Sequence, residues 1–258
     1  MYKKTYRSRN IRGKRLVCRY LQESVALRRH VPHTVPLSLS NLTMMMRRYG
    51  KVYVKPDVGS MGIGIMKLEK IDEGYRVTSI AMRTQVTTNM STLSAIFAYM
   101  KKSTSKPLII QQAVALDQVN NRPYDIRAMV QRKPGGRWTC NGYLVKVGAA
   151  NKIVTNYYQG GKILTLAMLG KELQLSDVEY RKLAMMLKSK AHQIAKVLSS
   201  YKSGMHELGI DFALDQSRHL WVLEVNSNHP QFHPLKMLDR SAYNRMRSFA
   251  ASYGRYDD

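Results

Sequence analysis

The chain has 258 residues, enough for one large or two modest domains with a real core, and no apolar run approaches the roughly 20 residues that span a bilayer. Cys18 and Cys140 are its only cysteines, which excludes a disulfide framework and a thiolate metal cluster. Lys and Arg number 42 against 17 Asp and Glu, a net charge of +25, which points to nucleic acid, an anionic membrane surface or an acidic substrate and equally suits a solubilising surface.

Residues 1–12 read as a basic, poorly ordered arm; residues 1–50 hold twelve basic side chains and one acid, Glu23. No secretory apolar region follows the charged start, so a reducing cytosol is the expected compartment. Residues 14–29 and 40–49 read as helices, the second opening at Asn41-Leu-Thr and stopping at Gly50. "HVPHTVP" between them is a Pro-punctuated loop. "KVYVKP" (51–56) is a short strand, and "GIMKLEKI" and "YRVTSIAM" are strands around the turn Asp72-Glu73-Gly74. Leu93, Ile96, Phe97 and Met100 fall at helical spacing and predict a helix over 88–102. "PLIIQQAV" (107–114) is a buried strand. "YDIRAMVQRK" and "RWTCNGYLVKV" flank Pro134-Gly135-Gly136 as a hairpin. Ser176 and Glu179 form a capping-box pattern that opens a helix over 176–201, whose stripe of Leu183, Leu187, Ala191, Ile194 and Leu198 is core packing. "LGIDFALD" and "HLWVLEVN" make a second hairpin, and 235–253 a last helix. Antiparallel hairpins with helices between them argue an α+β fold.

Glu224 and Asn226 sit two apart on that last strand and share a face. An apolar strand carrying a carboxylate and an amide on one face is either exposed there or holds a cation. A tight turn through Ser217-Arg218 sets Asp211 opposite Glu224 and Asn226 opposite Gly209. Two carboxylates facing each other across a sheet repel. A divalent cation would remove the penalty, and an all-oxygen set suits Mg²⁺. A register slip of one residue would break the pairing.

"KPDVGSMGIGIMKLEK" sets Gly59, Ser60, Gly62 and Gly64 between two strands. No Gly-Lys-Ser/Thr opens a helix and a strand follows, so neither a Walker A nor a dinucleotide fingerprint fits. A glycine-rich strand–loop–strand is similar to the phosphate cover of kinases. Its backbone N–H groups can approach anionic oxygens, and Lys55 can add a point charge. The alternative is an ordinary Gly-rich hairpin. Asp125 and Arg127 share one strand face and alone read as a surface ion pair. Asn156, a Gly pair and Lys162 in "TNYYQGGK" alone read as a loop. His229 and His233 in "NHPQFHP" read as loop residues.

The order of these stretches is more specific than any one of them. "KP…GSxGxG", "IIQQ", "YDIRAMV", "TNYYQGG" and "GIDFALD…WVLEVNSNHP" together resemble the ATP-grasp superfamily, and within it the spore-coat-associated ATP-grasp proteins of endospore-forming bacteria. The resemblance runs from about residue 14 to about 235. It implies two α+β subdomains clasping ATP: residues 1–13 as a basic arm, 14–50 as a helical start, 51–115 as the small subdomain with the glycine loop, and 116–258 as the large one with the metal site. It sets adenine near Gln111 and Val114, with Asp117 toward the ribose. It assigns Lys14, Lys55 and the loop at 59–64 to the phosphates. Asp211, Glu224 and Asn226 match Mg²⁺ ligands, two ions being expected. Arg127 and Asn156 match groups facing the transferring phosphate and the acceptor. Two departures stand out. Lys146 replaces a usual arginine and its planar fork, and only a short arm precedes the grasp where relatives carry a folded domain.

The expected function is an ATP- and Mg²⁺-dependent carboxylate–amine ligase working through an acyl phosphate, with Arg127, Asn156 and Lys146 at the reacting groups. The carboxylate and the amine are not named by the sequence; the charge surplus suggests an acidic acceptor. A cytoplasmic, spore-associated location goes with this reading. The alternatives are a nucleotide-binding or structural spore-coat-associated protein without turnover, and a nucleic-acid-binding protein, which rests on charge alone.

Overall fold

The computed structural model describes residues 4–82 and 84–256. In chain order the elements are α1 (Lys14–Glu23), β1 (Thr34–Pro36), α2 (Leu39–Tyr49), β2 (Lys51–Pro56), β3 (Met66–Ile71), β4 (Gly74–Ala81), β5 (Thr84–Met90), α3 (Leu93–Ser103) and β6 (Leu108–Gln112). There follow β7 (Gln118–Val119), β8 (Arg122–Gln131), β9 (Thr139–Val147), β10 (Lys162–Leu164), α4 (Leu166–Glu172), α5 (Asp177–Tyr201), β11 (Glu207–Leu214), β12 (Leu220–Asn226), α6 (Leu235–Leu238) and α7 (Arg240–Ala251). One antiparallel sheet runs β1-β6-β2-β3-β4-β5 and a second runs β10-β9-β8-β11-β12, with β7 on β8. The fold is α+β, as the hairpins imply.

Each sheet covers its own core. Leu42, Met45 and Met46 of α2 and Ile96 and Met100 of α3 close on Val52, Val54, Leu68 and Ile110 of the first sheet. The second sheet is covered on both faces. Its Tyr124, Ile126, Ala128 and Val130 face α5 and α1, while Met129 and Leu144 pack on α6 and α7. Strand alternation therefore sends Asp125 and Arg127 of β8, and Asp211 of β11, to the face opposite α5.

Several boundaries differ from the sequence reading, each for a local reason. Residues 1–3 of the expected arm lie outside the described residues. Residues 4–11 are not a loose arm. Tyr6, Ser8 and Ile11 are buried while Arg7 and Arg9 are exposed, an extended alternation hidden by the basic composition. The helix expected over 14–29 stops at Glu23, where Ser24 turns to extended backbone, and Arg28–His30 form a single 3₁₀ turn. Ser38, not Asn41, caps α2 by accepting from the Asn41 N–H, and Gly50 ends the helix in the left-handed region. The stretch 84–90, expected in part to be helix, is β5, and Thr92 caps the helix that follows. Asp239 splits the last helix by capping α7 through the Ala242 N–H.

The β11–β12 hairpin differs in its turn. Asp215 and His219 bracket a three-residue loop with Arg218 at φ 64, one residue away from the expected turn. A bulge between Asp211 and Phe212 then compensates: Phe212 pairs with Val222, while Asp211 pairs with Glu224 and Gly209 with Asn226. The extra residue is Leu223. Were Leu223 in regular alternation and not bulged, Glu224 and Asn226 would share the α5 face with Leu220 and Val222.

Gly209 also sets how closely the loop after β12 approaches. A Cβ there would lie 2.7 Å from Pro230 Cβ. Gly209→Ala should therefore lower the unfolding free energy by about 1–3 kcal/mol, the range for overpacking, measured by urea titration at neutral pH.

Candidate functional site

A cavity of about 340 Å³ lies between the two sheets. From the first sheet come Lys55, Gln111, Val114 and the loop Gly59, Ser60 and Gly62; from the second come Arg127, Lys146, Asp211, Glu224 and Asn226; Lys14 and Asn156 complete the wall. Two expected residues are not brought there. Gly64 stands behind the loop at φ +74, its N–H bonded to the Ile80 carbonyl. Asp117 is turned to other work: its carboxylate accepts from Tyr124 Oη at 2.8 Å and pairs with Arg218 at 3.4 Å.

Asp125 and Arg127 are not a surface ion pair. They belong to a buried cluster of four charges. Arg127 donates through Nε and Nη2 to the two oxygens of Asp211, both at 2.8 Å. Lys146 Nζ lies 3.0 Å from Asp211 Oδ2 and 2.8 Å from Asp125 Oδ1, and Thr155 donates to Asp125 Oδ2. Burial alone would raise the Asp211 carboxyl, but the Arg127 guanidinium and the Lys146 ammonium overcome it and hold it well below the usual carboxylate range. Burial, reinforced by Asp211, pushes Asp125 up despite Lys146. The cross-strand repulsion expected of Asp211 and Glu224 is thus met by the chain's own cations: Arg127 and Lys146 on one carboxylate, and Lys14, 3.3 Å from Glu224 Oε1, on the other.

Lys14 is placed by a residue that the sequence did not single out, and Lys55 by Gln111, which was expected beside the adenine. Asp57 closes the start of α1 from outside, accepting from the Arg15 N–H at 2.8 Å, while its carbonyl accepts from the Lys14 N–H at 2.9 Å. Lys55 Nζ donates to Gln111 Oε1 at 2.7 Å, and Gln111 Nε2 donates to Thr34 Oγ1 at 3.1 Å. Burial pushes the Lys55 ammonium below its ordinary value, with Glu224 acting against the shift.

The segment after β9 ties the sheets together. Tyr53 Oη, its pKa pushed up to about 12 by burial, donates to the Ile153 carbonyl at 2.8 Å. Gln159 Nε2 donates to the carbonyls of Met61 in the glycine loop and Met82 after β4, at 3.2 and 2.7 Å. Asn156 Oδ1 caps the 3₁₀ turn Tyr157–Gln159 by accepting from the Tyr158 N–H. No motif flagged Gln159 or Thr155, because their partners are remote backbone and side-chain atoms.

Among the described residues no three His, Cys, Asp or Glu side chains gather as a metal cluster. The set Asp211, Glu224 and Asn226 is two carboxylates and an amide facing one cavity. Its hard oxygen chemistry fits Mg²⁺, which commonly takes one or two carboxylates and leaves the remaining positions to water and phosphate oxygens. His229 is a buried loop residue, its Nδ1 2.9 Å from Tyr6 Oη.

Residues 3–256 match the YheC/D-like ATP-grasp family. The chain belongs to that family. It is 31% identical over 203 residues, 74% of its length and 44% of the relative's, to the endospore coat-associated protein YheD of Bacillus subtilis (strain 168). It is 21% identical over 231 residues to the endospore coat-associated protein YheC of the same strain, covering 88% of this chain and 62% of that protein. The chain spans about half the length of these curated relatives. A solved N5-carboxyaminoimidazole ribonucleotide synthetase from Thermotoga maritima superposes with a TM-score of 0.48 and 12% identity, covering 93% of this chain and 48% of that one. That likeness is too loose to carry chemistry over. No helix among the described residues of this ATP-grasp chain is long and apolar enough to cross a membrane.

Asp211 carries a depressed pKa, so its contribution to stability is complete above the unfolded value of about 3.9 and is lost as pH falls through the folded one. Asp211→Asn leaves Arg127 and Lys146 without their shared carboxylate. It should cost about 3–5 kcal/mol at pH 7. Between pH 7 and pH 3 the variant should lose less stability than the wild type, as read by urea denaturation at both values.

Proposed function

We propose that this chain is an ATP- and Mg²⁺-dependent carboxylate–amine ligase. The observation that carries the reading is the meeting of Lys55 and the glycine loop of one sheet with Asp211, Glu224 and Asn226 of the other across one cavity. The family supports the use of ATP. In this reading residues 51–115 and 116–258 are the two halves of the clasp, with residues 1–13 and 14–50 leading into it. Lys14, Lys55 and the backbone of Gly59, Ser60 and Gly62 bind the phosphates, and the base lies toward Val114. Gln111 acts mainly by fixing Lys55.

Asp211, Glu224 and Asn226 would hold the cation, in one or two ions; when bound it supplies neutralisation of phosphate charge. The chain's own residues position and orient the rest. Arg127, fixed by two bonds to Asp211, presents its remaining N–H groups to the transferring phosphoryl group. Lys146, held by both aspartates, keeps that guanidinium aligned rather than acting as a second fork. Asn156 stands at the acceptor side. A substrate carboxylate oxygen forms the new bond to the γ-phosphorus as the bond to the ADP oxygen breaks. The amine nitrogen then attacks the acyl carbon, phosphate leaves, and the nitrogen loses a proton. The acceptor is expected to be acidic, given the charge of +25. By analogy with its relatives' names, the protein is spore-associated.

ATP with Mg²⁺ should raise the unfolding temperature, by preferential binding to the folded state, and Lys55→Ala should remove most of that rise. Glu224→Gln should fold normally yet lose the Mg²⁺ dependence. Turnover is read as ADP release with candidate carboxylates and hydroxylamine, which traps an acyl phosphate as a hydroxamate. A nucleotide-dependent thermal shift with no hydroxamate from any carboxylate would favour a nucleotide-binding coat-associated protein instead.

A further inference from the structure

The surplus of positive charge is not spread evenly. Parts of four segments without an acidic residue, 4–22, 126–171, 180–206 and 240–256, meet around the β8–β9 turn, at the end of the second sheet away from Arg127 and Lys146. The hydrogen bonds show the convergence. The Arg9 N–H donates to the Gly204 carbonyl at 2.8 Å, and the Arg7 N–H to the Tyr253 carbonyl at 3.0 Å. Arg132 Nε donates to the Met205 carbonyl at 2.7 Å, and Trp138 Nε1 to Ser199 Oγ at 3.2 Å. Lys133 Nζ sits 5.4 Å over the Phe249 ring, and the Arg132 guanidinium 4.7 Å over Trp138. The arm, the β8–β9 turn, the end of α5 and the end of α7 thus form one surface, and Arg7, Arg9, Lys133, Arg137, Lys202 and Arg247 are exposed on it.

Glu207, the carboxylate beneath, is 0% exposed and engaged by Lys4 and Arg255. Glu23 marks the border, bonded by Tyr201. Asp257 and Asp258 lie outside the described residues. A surface that serves only solubility interleaves both signs; this one segregates them. Four of its six exposed cations are arginines, whose forked donors match phosphate oxygens, and its aromatic rings are already stacked under cations. The face begins about five residues along β8 from Arg127, roughly 17 Å at strand rise, so it is separate from the cavity.

We propose that this face binds the phosphodiester backbone of a nucleic acid, without reading its sequence. Contacts to phosphate release counterions and give a steep salt dependence. The test is fluorescence anisotropy of the full chain with a labelled random duplex of about 25 base pairs, without ATP, between 50 and 200 mM salt. With about six phosphate contacts, affinity should fall about a thousandfold over that range. Arg9→Gln, Lys133→Gln, Arg137→Gln and Arg247→Gln combined should lower the salt slope by about one per residue. The same four positions changed to Glu should abolish binding. Both variants should keep the wild-type circular dichroism and the thermal shift by ATP and Mg²⁺, so failure here is distinguishable from failure of the ligase reading. Lys101→Glu, Lys102→Glu and Lys106→Glu, at the end of α3 and in the loop after it beside the other sheet, should leave DNA binding near wild type. No binding at 50 mM salt, an equal loss from the Lys101/Lys102/Lys106 set, or tighter binding of polyglutamate than of the duplex would each overturn the proposal.

Discussion

Asp211 is the residue on which the geometry turns. It is buried between two strands, and a buried carboxylate must find cations or lose its charge. Arg127 and Lys146 supply them, and Lys146 is shared with Asp125. The two negative and two positive groups balance, so the floor of the cavity is electrically quiet although made of ions. The balance also fixes Arg127: two bonds to one carboxylate leave its plane little freedom. Lysine at position 146 suits this role, because a compact ammonium can sit between two aspartates whereas a guanidinium would ask for a planar partner. The sequence departure and the ion pairs thus have one explanation.

The second constraint is the phase of β12. Strand alternation cannot serve both the α5 core and the cavity along its whole length. Leu220 and Val222 face the core, and two residues further on the same rule would have buried Glu224 there too. Leu223 shifts the phase by one, so Val225 returns to the core and Glu224 and Asn226 face the cavity. The glycine at 209 opposite Asn226 leaves room for the loop that follows.

Most of the longer strands, three of the hairpins and the capping box at Ser176 were legible because period-two and period-3.6 patterns are local, whereas most cavity residues were named by the resemblance to the ATP-grasp superfamily and not by any periodicity. The pairing of Asp211 with Glu224 was legible too, although the expected turn was one residue off and an unforeseen bulge restored the register. What escaped was non-local. The partner of Arg127 is on another strand, so a pair two apart in sequence looked like a surface ion pair. Asp57 closes a helix more than forty residues earlier in the chain. Thr34, Thr155 and Gln159 matter through one or two hydrogen bonds each to residues distant in the chain, which leave no spacing in the sequence. The arm was misjudged for a different reason: its charges are exposed on alternate positions, and Tyr6, Ser8 and Ile11 between them are what bury.

Glu207 gathers Lys4, Tyr6 and Arg255 around one carboxylate, and Lys4 and Ile11 also bind Ser227, directly after Asn226. Tyr6 and Glu207 are 201 residues apart in sequence. Closing so long a loop is slow, since its entropy is lost before the contact rewards it. During synthesis, then, both sheets can pair before Arg255 exists, while the wall of the cavity next to Asn226 waits for it. A chain without Arg255 would carry every proposed ligand, yet the wall of the cavity next to Asn226 would lack one of the cations that anchor it through Glu207.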